Sequence, residues 1–430
     1  MSEALPDGFQ MTELGPLPEE WAVVKLGQVV TVSTKVVNPS TVGAKRYVGL
    51  EHIQSGSVRL RHWGKADDVR SLKTRFQQGD VLYGKLRPYL DKAVLAEWEG
   101  VCSTDILVLK AQESLLSEFL VFLVHTPQFI EYAVSTMTGV NHPRTSWKAL
   151  RTFALPLPPI GEQRAIAYVL RTVQRAKEAT EGVIAALRQL KKSLMQHLFT
   201  YGPVPVTERD RVPLKETEIG PIPAHWRVVK LGDVAVFSAN KRPRGQNKSS
   251  LIPFIPMSLL PQETMYVLQW EMRRATEIRS GIAIRNGDFL LAKITPCFEN
   301  GKQGIVRGIP GGWGYATTEV IPIRPSGELH VEYLALYLRQ PRVRQELAAK
   351  MEGTTGRQRL PKTVVHQLLT PLPPLDEQRE IARILQAVDQ KIAAEEDRRG
   401  ALEAVFKSLL QQLMTGRIRV KDLPIPQPEA

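Results

Sequence analysis

Arginine, asparagine and glutamine side chains are concentrated in two glycine-containing loops at matching positions of this sequence. The first loop reads TGVNHPRT (138–145), and the second reads GTTGRQR (353–359). These side chains form paired hydrogen bonds to base edges, and glycine lets a backbone approach its partner closely. The loops are therefore predicted to contact bases or phosphates, although an ordinary polar surface loop has the same composition. The candidate contact residues are Asn141, His142, Arg144, Thr145, Arg357, Gln358, Arg359 and Lys362.

Further lysines and arginines are placed to neutralise phosphate groups. Each half of the chain has a basic loop near its start, at 45–46 and at 241–248, which suits backbone contact more than base reading. The segments GDVLYGKLRP (79–88) and GDFLLAKITP (287–296) each carry a lysine near the end of a predicted strand, where a structural role is an equal interpretation. The candidate residues in these four segments are Lys45, Arg46, Lys85, Arg87, Lys241, Arg242, Arg244, Lys248, Lys293 and Thr295.

The sequence lacks the motifs on which most nucleic-acid enzymes depend. It has no Walker-type glycine loop, no Asn-Pro-Pro-aromatic run, no Glu-x-Lys triplet and no Gly-x-Ser-x-Gly. Its eight histidines never pair at metal-ligand spacing. The two cysteines, Cys102 and Cys297, are interpreted as small buried apolar residues. We therefore predict neither a catalytic residue nor a metal site in this chain.

Two sequence blocks occur twice and in the same order, so the elements that position these loops are duplicated. The blocks TELGPLPEEWAVVKLG (12–27) and TEIGPIPAHWRVVKLG (217–232) are identical at eleven of sixteen positions. The blocks PLPPIGEQRAIAYVL (156–170) and PLPPLDEQREIARIL (371–385) are identical at ten of fifteen positions. Offsets of 205 and 215 residues are far longer than solenoid repeats. The chain is therefore predicted to be a duplicated domain.

Each half is predicted to be an α+β domain. Short apolar runs broken by glycine and proline indicate strands, for example at 47–50, 80–86, 106–109, 288–294 and 319–323. Helical patterns follow at 115–138 and 331–351, and Pro127 and Pro341 should break them. The predicted boundaries are a first domain at 1–155, a long helix at 156–202, a linker at 203–220, a second domain at 221–370, a second long helix at 371–416 and a tail at 417–430.

A long helix is predicted after each PLPP sequence, because apolar residues recur there at spacings of three and four. Neither helix is stable alone, and the two stripes can bury each other as an imperfect coiled coil within the chain. Thr180 and Glu395 interrupt the stripes. A partner subunit bound to the remaining helix surface is compatible with the same pattern. The predicted interface residues are Ile166, Leu170, Val173, Leu187, Leu194, Ile381, Leu385, Val388, Leu402 and Leu409.

Composition and charge favour a polyanionic partner. The chain has 430 residues, with 57 Lys and Arg against 44 Asp and Glu, which gives a formal net charge of +13. Such an excess is typical of proteins that bind nucleic acid. No apolar stretch of about 18 residues is present to span a membrane, and the first residues lack the pattern of a signal peptide. We therefore expect a soluble, cytoplasmic protein that binds nucleic acid.

In its duplicated layout the chain resembles the specificity (S) subunit of prokaryotic type I restriction–modification systems. The resemblance is carried by LPEEWAVVKLG and IPAHWRVVKLG at the domain entries, LYGKLRP and LAKITP within the domains, and PLPPIGEQRAIA and PLPPLDEQREIA before the helices. It extends over nearly the whole chain.

The resemblance implies a function and a set of partners. Each globular unit would be a target recognition domain that reads one half of a bipartite, asymmetric sequence of double-stranded DNA. The long helices would pack antiparallel, set the gap between the half-sites and dock two methyltransferase (M) subunits, which restriction and translocase (R) subunits then join. S-adenosylmethionine, ATP and Mg²⁺ would belong to those partners, so this subunit would hold no cofactor and would not be an enzyme. The late loops diverge, VNHPRTS against TTGRQRL, as different half-sites require.

Two other functions remain compatible with the sequence. One is a stand-alone nuclease or methyltransferase fusion, against which the missing motifs weigh. The other is a scaffold that binds nucleic acid without reading its sequence. Turnover by the purified chain would favour the first, and binding that ignores the sequence of duplex DNA would favour the second.

Overall fold

A computed structural model of the chain describes residues 5–39, 43, 45–237, 250–354 and 356–424. The chain divides into two compact units, of which the first contains residues 1–182 and 396–430 and the second contains residues 183–395. Each unit combines one globular α+β domain with one half of each long helix. The predicted fold class, two α+β domains each followed by a long helix, is confirmed.

The strands of the first unit are β1 (Phe9–Thr12), β2 (Gly15–Pro18), β3 (Ala22–Lys25), β4 (Val30–Val32), β5 (Val36–Val37), β6 (Arg46–Val48), β7 (Gly64–Lys65), β8 (Lys73–Phe76), β9 (Val81–Gly84), β10 (Ala93–Leu95), β11 (Gly100–Cys102), β12 (Ile106–Ala111) and β13 (Ala154–Leu157). They form a four-stranded sheet in the order β10-β9-β12-β4, a five-stranded sheet in the order β5-β8-β11-β6-β7, and the two-stranded sheets β1-β2 and β13-β3. Its helices are α1 (Leu26–Val29), α2 (Ser117–Leu123), α3 (Pro127–Ser135), α4 (Trp147–Leu150) and the first half of the long helix α5 (Ile160–Tyr201). Short 3₁₀ helices occupy Leu50–His52, Ala66–Asp68 and Pro88–Leu90.

The second unit repeats this plan, with the strand orders β17-β25-β22-β23-β19 and β20-β18-β24-β21. Its strands are β14 (Leu214–Lys215), β15 (Ile222–Pro223), β16 (Arg227–Lys230), β17 (Ala235–Val236), β18 (Leu251–Ile255), β19 (Tyr266–Val267), β20 (Glu271–Arg274), β21 (Ile282–Arg285), β22 (Phe289–Ala292), β23 (Gln303–Val306), β24 (Trp313–Ala316), β25 (Val320–Pro325), β26 (Glu352–Thr354), β27 (Arg357–Arg359) and β28 (Leu369–Leu372). Its helices are α6 (Leu231–Val234), α7 (Val331–Tyr337), α8 (Pro341–Ala349), α9 (Lys362–His366) and the first half of α10 (Leu375–Met414). Short 3₁₀ helices occupy Val206–Arg211, Met257–Leu259 and Pro310–Gly312.

Proline and glycine set several of the helix boundaries. Pro127 and Pro341 are the first residues of α3 and α8, as the sequence predicts, because proline is tolerated in the first helical turn but not inside a helix. Gly202 and Gly416 lie just past the long helices with φ of 81° and 69°. Only glycine adopts that left-handed backbone without strain, so it is suited to ending a helix there.

The repeated sequence blocks join the two ends of each domain. Strand β3 pairs antiparallel with β13, and Ala22 lies opposite Leu157. Strand β16 pairs with β28 in the same way, and Arg227 lies opposite Leu372. The entry and exit strands of each domain therefore meet just before a long helix begins.

A buried tryptophan from the first block bonds to a glutamate from the second block in each unit. Trp21 Nε1 donates to Glu162 Oε2 at 2.8 Å, and Trp226 Nε1 donates to Glu377 Oε2 at 2.8 Å. Glu162 also accepts from the guanidinium of Arg419 at 2.7 Å. Since both indoles are buried, these bonds fix the first turn of each long helix against its domain.

The glutamine that follows each of these glutamates is also buried and hydrogen-bonded to the domain. Gln163 Oε1 accepts from the Leu116 amide at 2.9 Å, and its Nε2 donates to two backbone carbonyls. Gln378 makes the same three bonds, with the His330 amide at 2.8 Å and two carbonyls. The repeated Glu-Gln pair is thus a structural connection between helix and domain.

The two long helices run antiparallel in the first unit. Lys177 Nζ on α5 lies 2.7 Å from a Glu403 carboxylate oxygen on α10, and it also lies above the ring of Phe406. Arg419, just beyond the end of α10, bonds to Glu162 at the start of α5. The order of contacts along one helix is therefore the reverse of that along the other.

The second unit contains the complementary halves of the same helices in the same antiparallel arrangement. Lys191 Nζ lies 2.5 Å from the Asp389 carboxylate. Leu198 near the end of α5 shares a buried cluster with Ile381 near the start of α10. The predicted antiparallel packing of the two helices is confirmed.

The apolar side chains along these helices pack into the domain cores as well as against the other helix. Ile166 and Leu170 are fully buried in the core of the first unit, and Ile381 and Leu385 are fully buried in that of the second. The sequence assigned these four residues to the helix interface, because periodicity shows that a face is buried but not what covers it. The remaining predicted interface residues are partly buried, and these are Val173, Leu187, Leu194, Val388, Leu402 and Leu409.

We expect Trp21→Phe and Trp226→Phe each to lower the free energy of unfolding by about 1.5–3 kcal/mol, because each removes an indole donor from a carboxylate that is buried (Glu162) or partly buried (Glu377). Urea unfolding followed by far-UV circular dichroism measures this. Trp63→Phe is the matched control, since Trp63 is 47% exposed, and its change should stay within about 0.5 kcal/mol. Unchanged stability in both buried-site variants would contradict the structural role of these bonds.

Candidate nucleic-acid interface

In the first unit the late loop lies against the end of strand β9. The Thr145 amide donates to the Lys85 carbonyl at 3.0 Å, and the Arg87 amide donates to the Pro143 carbonyl at 2.9 Å. Within the loop, Thr138 and Arg144 exchange two backbone hydrogen bonds. Two separate segments that the sequence marked as nucleic-acid candidates are therefore joined into one surface.

The second unit builds the same surface from matching residues. The Leu360 amide donates to the Lys293 carbonyl at 2.7 Å, and the Thr295 amide donates to the Gln358 carbonyl at 3.0 Å. Strands β26 and β27 form a hairpin, with Gly353 opposite Gln358. The backbone scaffold is thus conserved between the two halves of the chain, although the loop sequences differ.

One arginine in each loop pairs with a carboxylate on the neighbouring strand connection. Arg144 Nε donates to Asp105 Oδ1 at 2.8 Å, and Arg359 Nη2 donates to Glu319 Oε2 at 2.7 Å. The hydrogen bond to Asp105 raises the pKa of Arg144 above its ordinary value. Each arginine is therefore held in one orientation while part of its side chain stays exposed, 43% for Arg144 and 58% for Arg359.

A lysine lies beside each of these pairs. The Lys85 and Lys293 amides donate to the carbonyls of Asp105 and Glu319 at 2.9 and 3.0 Å. Burial lowers the pKa of Lys293, and the positive charge of Arg359 lowers it further. An approaching phosphate would relieve that repulsion, so the pair is suited to binding an anion.

The other predicted contact residues differ in accessibility. Thr145 is buried, and its hydroxyl lies 2.8 Å from that of Thr136, so its side chain supports the loop and does not face a partner. Thr295 is partly buried, with its hydroxyl 3.0 Å from Glu299. Gln358 is partly buried as well. Arg87, Asn141, His142, Arg357 and Lys362 are exposed.

The early basic loop of the first unit lies on the other sheet, away from the late loop. The Arg46 guanidinium lies 5.1 Å from the ring centroid of Trp63 and 4.7 Å from that of Trp98, and Lys45 beside it is exposed. This cation–π contact fixes Arg46 on strand β6 of the other sheet. The remaining predicted residues, Lys241, Arg242, Arg244 and Lys248, lie outside the described residues.

Sequence reasoning missed an exposed aromatic side chain beside the first loop. Tyr89 follows Arg87 in a 3₁₀ turn and is 51% exposed. Both Arg87 and Asp91 have left-handed backbone conformations, which is uncommon for residues other than glycine. His125 holds the turn through a 2.6 Å contact with the Asp91 carboxylate. The only sequence signal was the aromatic residue next to Arg87 and Pro88.

Comparison with known proteins identifies the family. Residues 18–189 and 223–404 each match the type I restriction modification DNA specificity domain. The chain belongs to the type I restriction–modification specificity family. Both matched ranges contain a late loop, an Arg–carboxylate pair and the start of a long helix. The family domain therefore occurs twice in the chain, once in each half of the duplicated structure.

Full-length relatives carry the same description. A putative type I restriction enzyme MjaX specificity subunit from Methanocaldococcus jannaschii is 25% identical, over 96% of this chain and 97% of the relative. The type I restriction enzyme MjaVIII specificity subunit of the same organism is 24% identical, over 95% of each chain. The EcoAI specificity subunit of Escherichia coli is 35% identical but aligns with only 30% of this chain.

Solved structures share the fold at low sequence identity. One is a chain of the structure reported as "Structural basis underlying complex assembly and conformational transition of the type I R-M system", with a TM-score of 0.56 and 19% identity over 94% of this chain and 99% of that one. Another is the type I restriction–modification S subunit from M. genitalium, with a TM-score of 0.54 and 14% identity over 92% of this chain and 96% of that one.

Two negative observations apply to the described part of the chain. None of its helices is both long and apolar enough to cross a bilayer. None of its His, Cys, Asp and Glu residues form a group of three that could hold a metal ion.

We expect Asp105→Ala to loosen the late loop of the first unit and to leave the late loop of the second unit unchanged. Glu319→Ala should loosen the late loop of the second unit only. Each change removes an ion pair that holds the loop against the neighbouring strand connection, so amide exchange in the affected loop should rise roughly two- to fivefold. Hydrogen–deuterium exchange of the full chain measures both loops at once, and the unaltered unit is the internal control. If both loops of both variants exchange as slowly as they do in the unaltered chain, the ion pair does not hold the loop.

Proposed function

We propose that this chain is the DNA-sequence-reading subunit of a type I restriction–modification complex. It recognises a bipartite, asymmetric DNA sequence and docks methyltransferase and restriction subunits, and it performs no catalysis itself. The observation that carries the proposal is the duplicated loop surface, in which one scaffold presents different side chains in each unit.

The constant part of each surface suits binding of the DNA backbone. Lys85 and Lys293 directly follow strands β9 and β22, and their backbone amides are hydrogen-bonded to Asp105 and Glu319. Lysine neutralises phosphate charge without reading sequence. Because both units place this lysine next to an Arg–carboxylate pair, both would approach DNA with the same part of their structure.

The variable part of each surface suits base reading. Asn141 and His142 are exposed in the first unit, whereas Arg357 and Gln358 occupy the hairpin of the second. Asparagine and glutamine form paired hydrogen bonds with adenine, and arginine forms them with guanine. Two different loops on one chain would therefore read two different half-sites, whereas two identical loops would read a palindrome.

The long helices support a fixed gap between the half-sites. Helix α5 is unbroken from Ile160 to Tyr201, and it contributes Ile166 to one core and Leu198 to the other. A packed helix pair is stiff and can hold a fixed distance, whereas a flexible linker cannot. Partner subunits would supply S-adenosylmethionine, ATP and Mg²⁺, and their docking on the exposed faces of these helices is part of the proposal.

Genome-wide mapping of methylated adenines tests the proposal. The chain is expressed with the methyltransferase encoded beside it, in a host that lacks other methylation. We expect one split motif with two short specified halves and a fixed gap. Absence of new methylation from a complex shown to assemble would overturn the proposal.

The same map tests the two loop arginines. We expect Arg144→Ala to reduce methylation about ten- to hundredfold or to relax the bases of one half-site, and Arg359→Ala to do so for the other half. Arg227→Ala, an exposed arginine on strand β16 paired with Glu328, is the control and should leave the motif unchanged.

A further inference from the structure

The second unit contains a cationic groove between helix α5 and helix α8. Its volume is about 710 Å³. Apolar side chains that include Met195, Phe199 and Ile219 line one part of it. Six arginines and lysines line the rest, and these are Arg188, Lys191, Lys192, Arg339, Arg342 and Arg344. Glu346 is the single acidic side chain among its described lining residues, and it is paired with Lys350.

The first unit has a groove at the matching place with a different character. It has a volume of about 960 Å³ and is lined by residues that include Leu14, Leu123 and Met414. In the duplicated sequence Leu14 corresponds to Ile219, Leu123 to Tyr337 and Met414 to Phe199 of the cationic groove. Gln128, which also lines the first groove, corresponds to Arg342. Arg417 is the single charged side chain among the described residues that line it. The two grooves therefore share a backbone scaffold and differ in charge.

Two guanidinium groups in the wall of the cationic groove are partly buried and have no hydrogen bond to a carboxylate. Arg339 donates to the backbone carbonyls of Glu263 and Thr264, and Arg344 donates to the Phe298 carbonyl at 2.9 Å and to Gln303. Burial lowers the pKa of Arg339, and it lowers that of Arg344 to about 10 with the help of repulsion from Arg339. Both groups still carry a positive charge at neutral pH, and no described anion bonds to either of them.

Three buried nitrogen atoms of the same groove lack a hydrogen-bond acceptor among the described residues. They are Arg339 Nε, Gln340 Nε2 and Arg344 Nε. A buried donor without an acceptor costs about 1–3 kcal/mol, and such groups are rare in native proteins. All three belong to side chains in the wall of one groove. The nitrogen atoms themselves are enclosed, so an anionic partner would contact the accessible parts of these partly buried side chains.

We propose that this groove binds an acidic, amphipathic segment of a protein partner, with its carboxylates on the arginines and its apolar side chains on the floor of the groove. A carboxylate matches the fork of a guanidinium, and the groove offers both charge and apolar surface within one volume. A nucleic-acid backbone would use the charge but would gain nothing from Met195, Phe199 and Ile219. Because the first unit lacks the cations, one partner segment would be bound to one unit only.

The inference deepens the proposed function, since it assumes a subunit that assembles with other proteins, but its test is independent of methylation. The probe is a fluorescein-labelled amphipathic peptide of about 18 residues, five turns of helix, with glutamate on one face and leucine on the other. Fluorescence anisotropy with the full chain should show saturable binding at one site. The same peptide with lysine in place of glutamate should not bind.

Variants at exposed cations locate the site. Lys192→Glu combined with Arg342→Glu should weaken peptide binding at least about tenfold. Lys407→Glu combined with Arg417→Glu makes the same change of charge in the first unit, and it should leave binding within about twofold. Lack of saturable binding, or equal weakening by both double variants, would overturn the inference. A loss of the split methylation motif with peptide binding intact would instead count against the proposed function alone.

Discussion

Each globular domain depends on one hydrogen bond, from a buried tryptophan at its entry to a glutamate at the start of the long helix. The partners are 141 residues apart in the first unit and 151 in the second. A buried carboxylate is stable only when its oxygens are hydrogen-bonded or paired. Glu162 is paired with Arg419, and Glu377 lies 2.7 Å from His225. The same bond therefore closes the domain and fixes the direction in which the helix leaves it.

This constant framework lets the loops diverge without loss of the fold. Asp105 and Glu319 both hold an arginine of the late loop, although one carboxylate is a methylene shorter than the other. Around that arginine, Asn141 and His142 of one unit have no counterpart of the same type in the other. Asn141 and His142, like Arg357 of the other loop, are exposed side chains, so they can differ without disturbing a core. A duplicated domain can in this way acquire two specificities while keeping one architecture.

Much of the fold follows from local sequence patterns. The duplicated blocks, the prolines at the starts of α3 and α8 and the periodicity of α5 and α10 predict the element order. The roles of Ile166 and Leu170 could not be predicted in the same way, because periodicity shows a buried face without showing what buries it. The bond between Trp21 and Glu162 and the pairing of Arg144 with Asp105 join distant residues, so no local pattern reveals them. The repetition of Trp and Glu-Gln in both halves was the available signal for the first of these. The candidate loops were found from composition and recurrence, but the burial of Thr145 and the exposure of Tyr89 needed the structure.

The central claim is that both units are interchangeable readers on one framework, and a chimaera tests it most directly. Residues 26–153 are replaced by residues 231–368, so that both junctions lie beside the paired entry and exit strands and both long helices are retained. The chimaera is expressed with its methyltransferase partner, and methylated adenines are mapped. We expect a palindromic split motif, in which the two specified halves carry the same bases on opposite strands. An assembled complex that methylates the original asymmetric motif, or none at all, would contradict it.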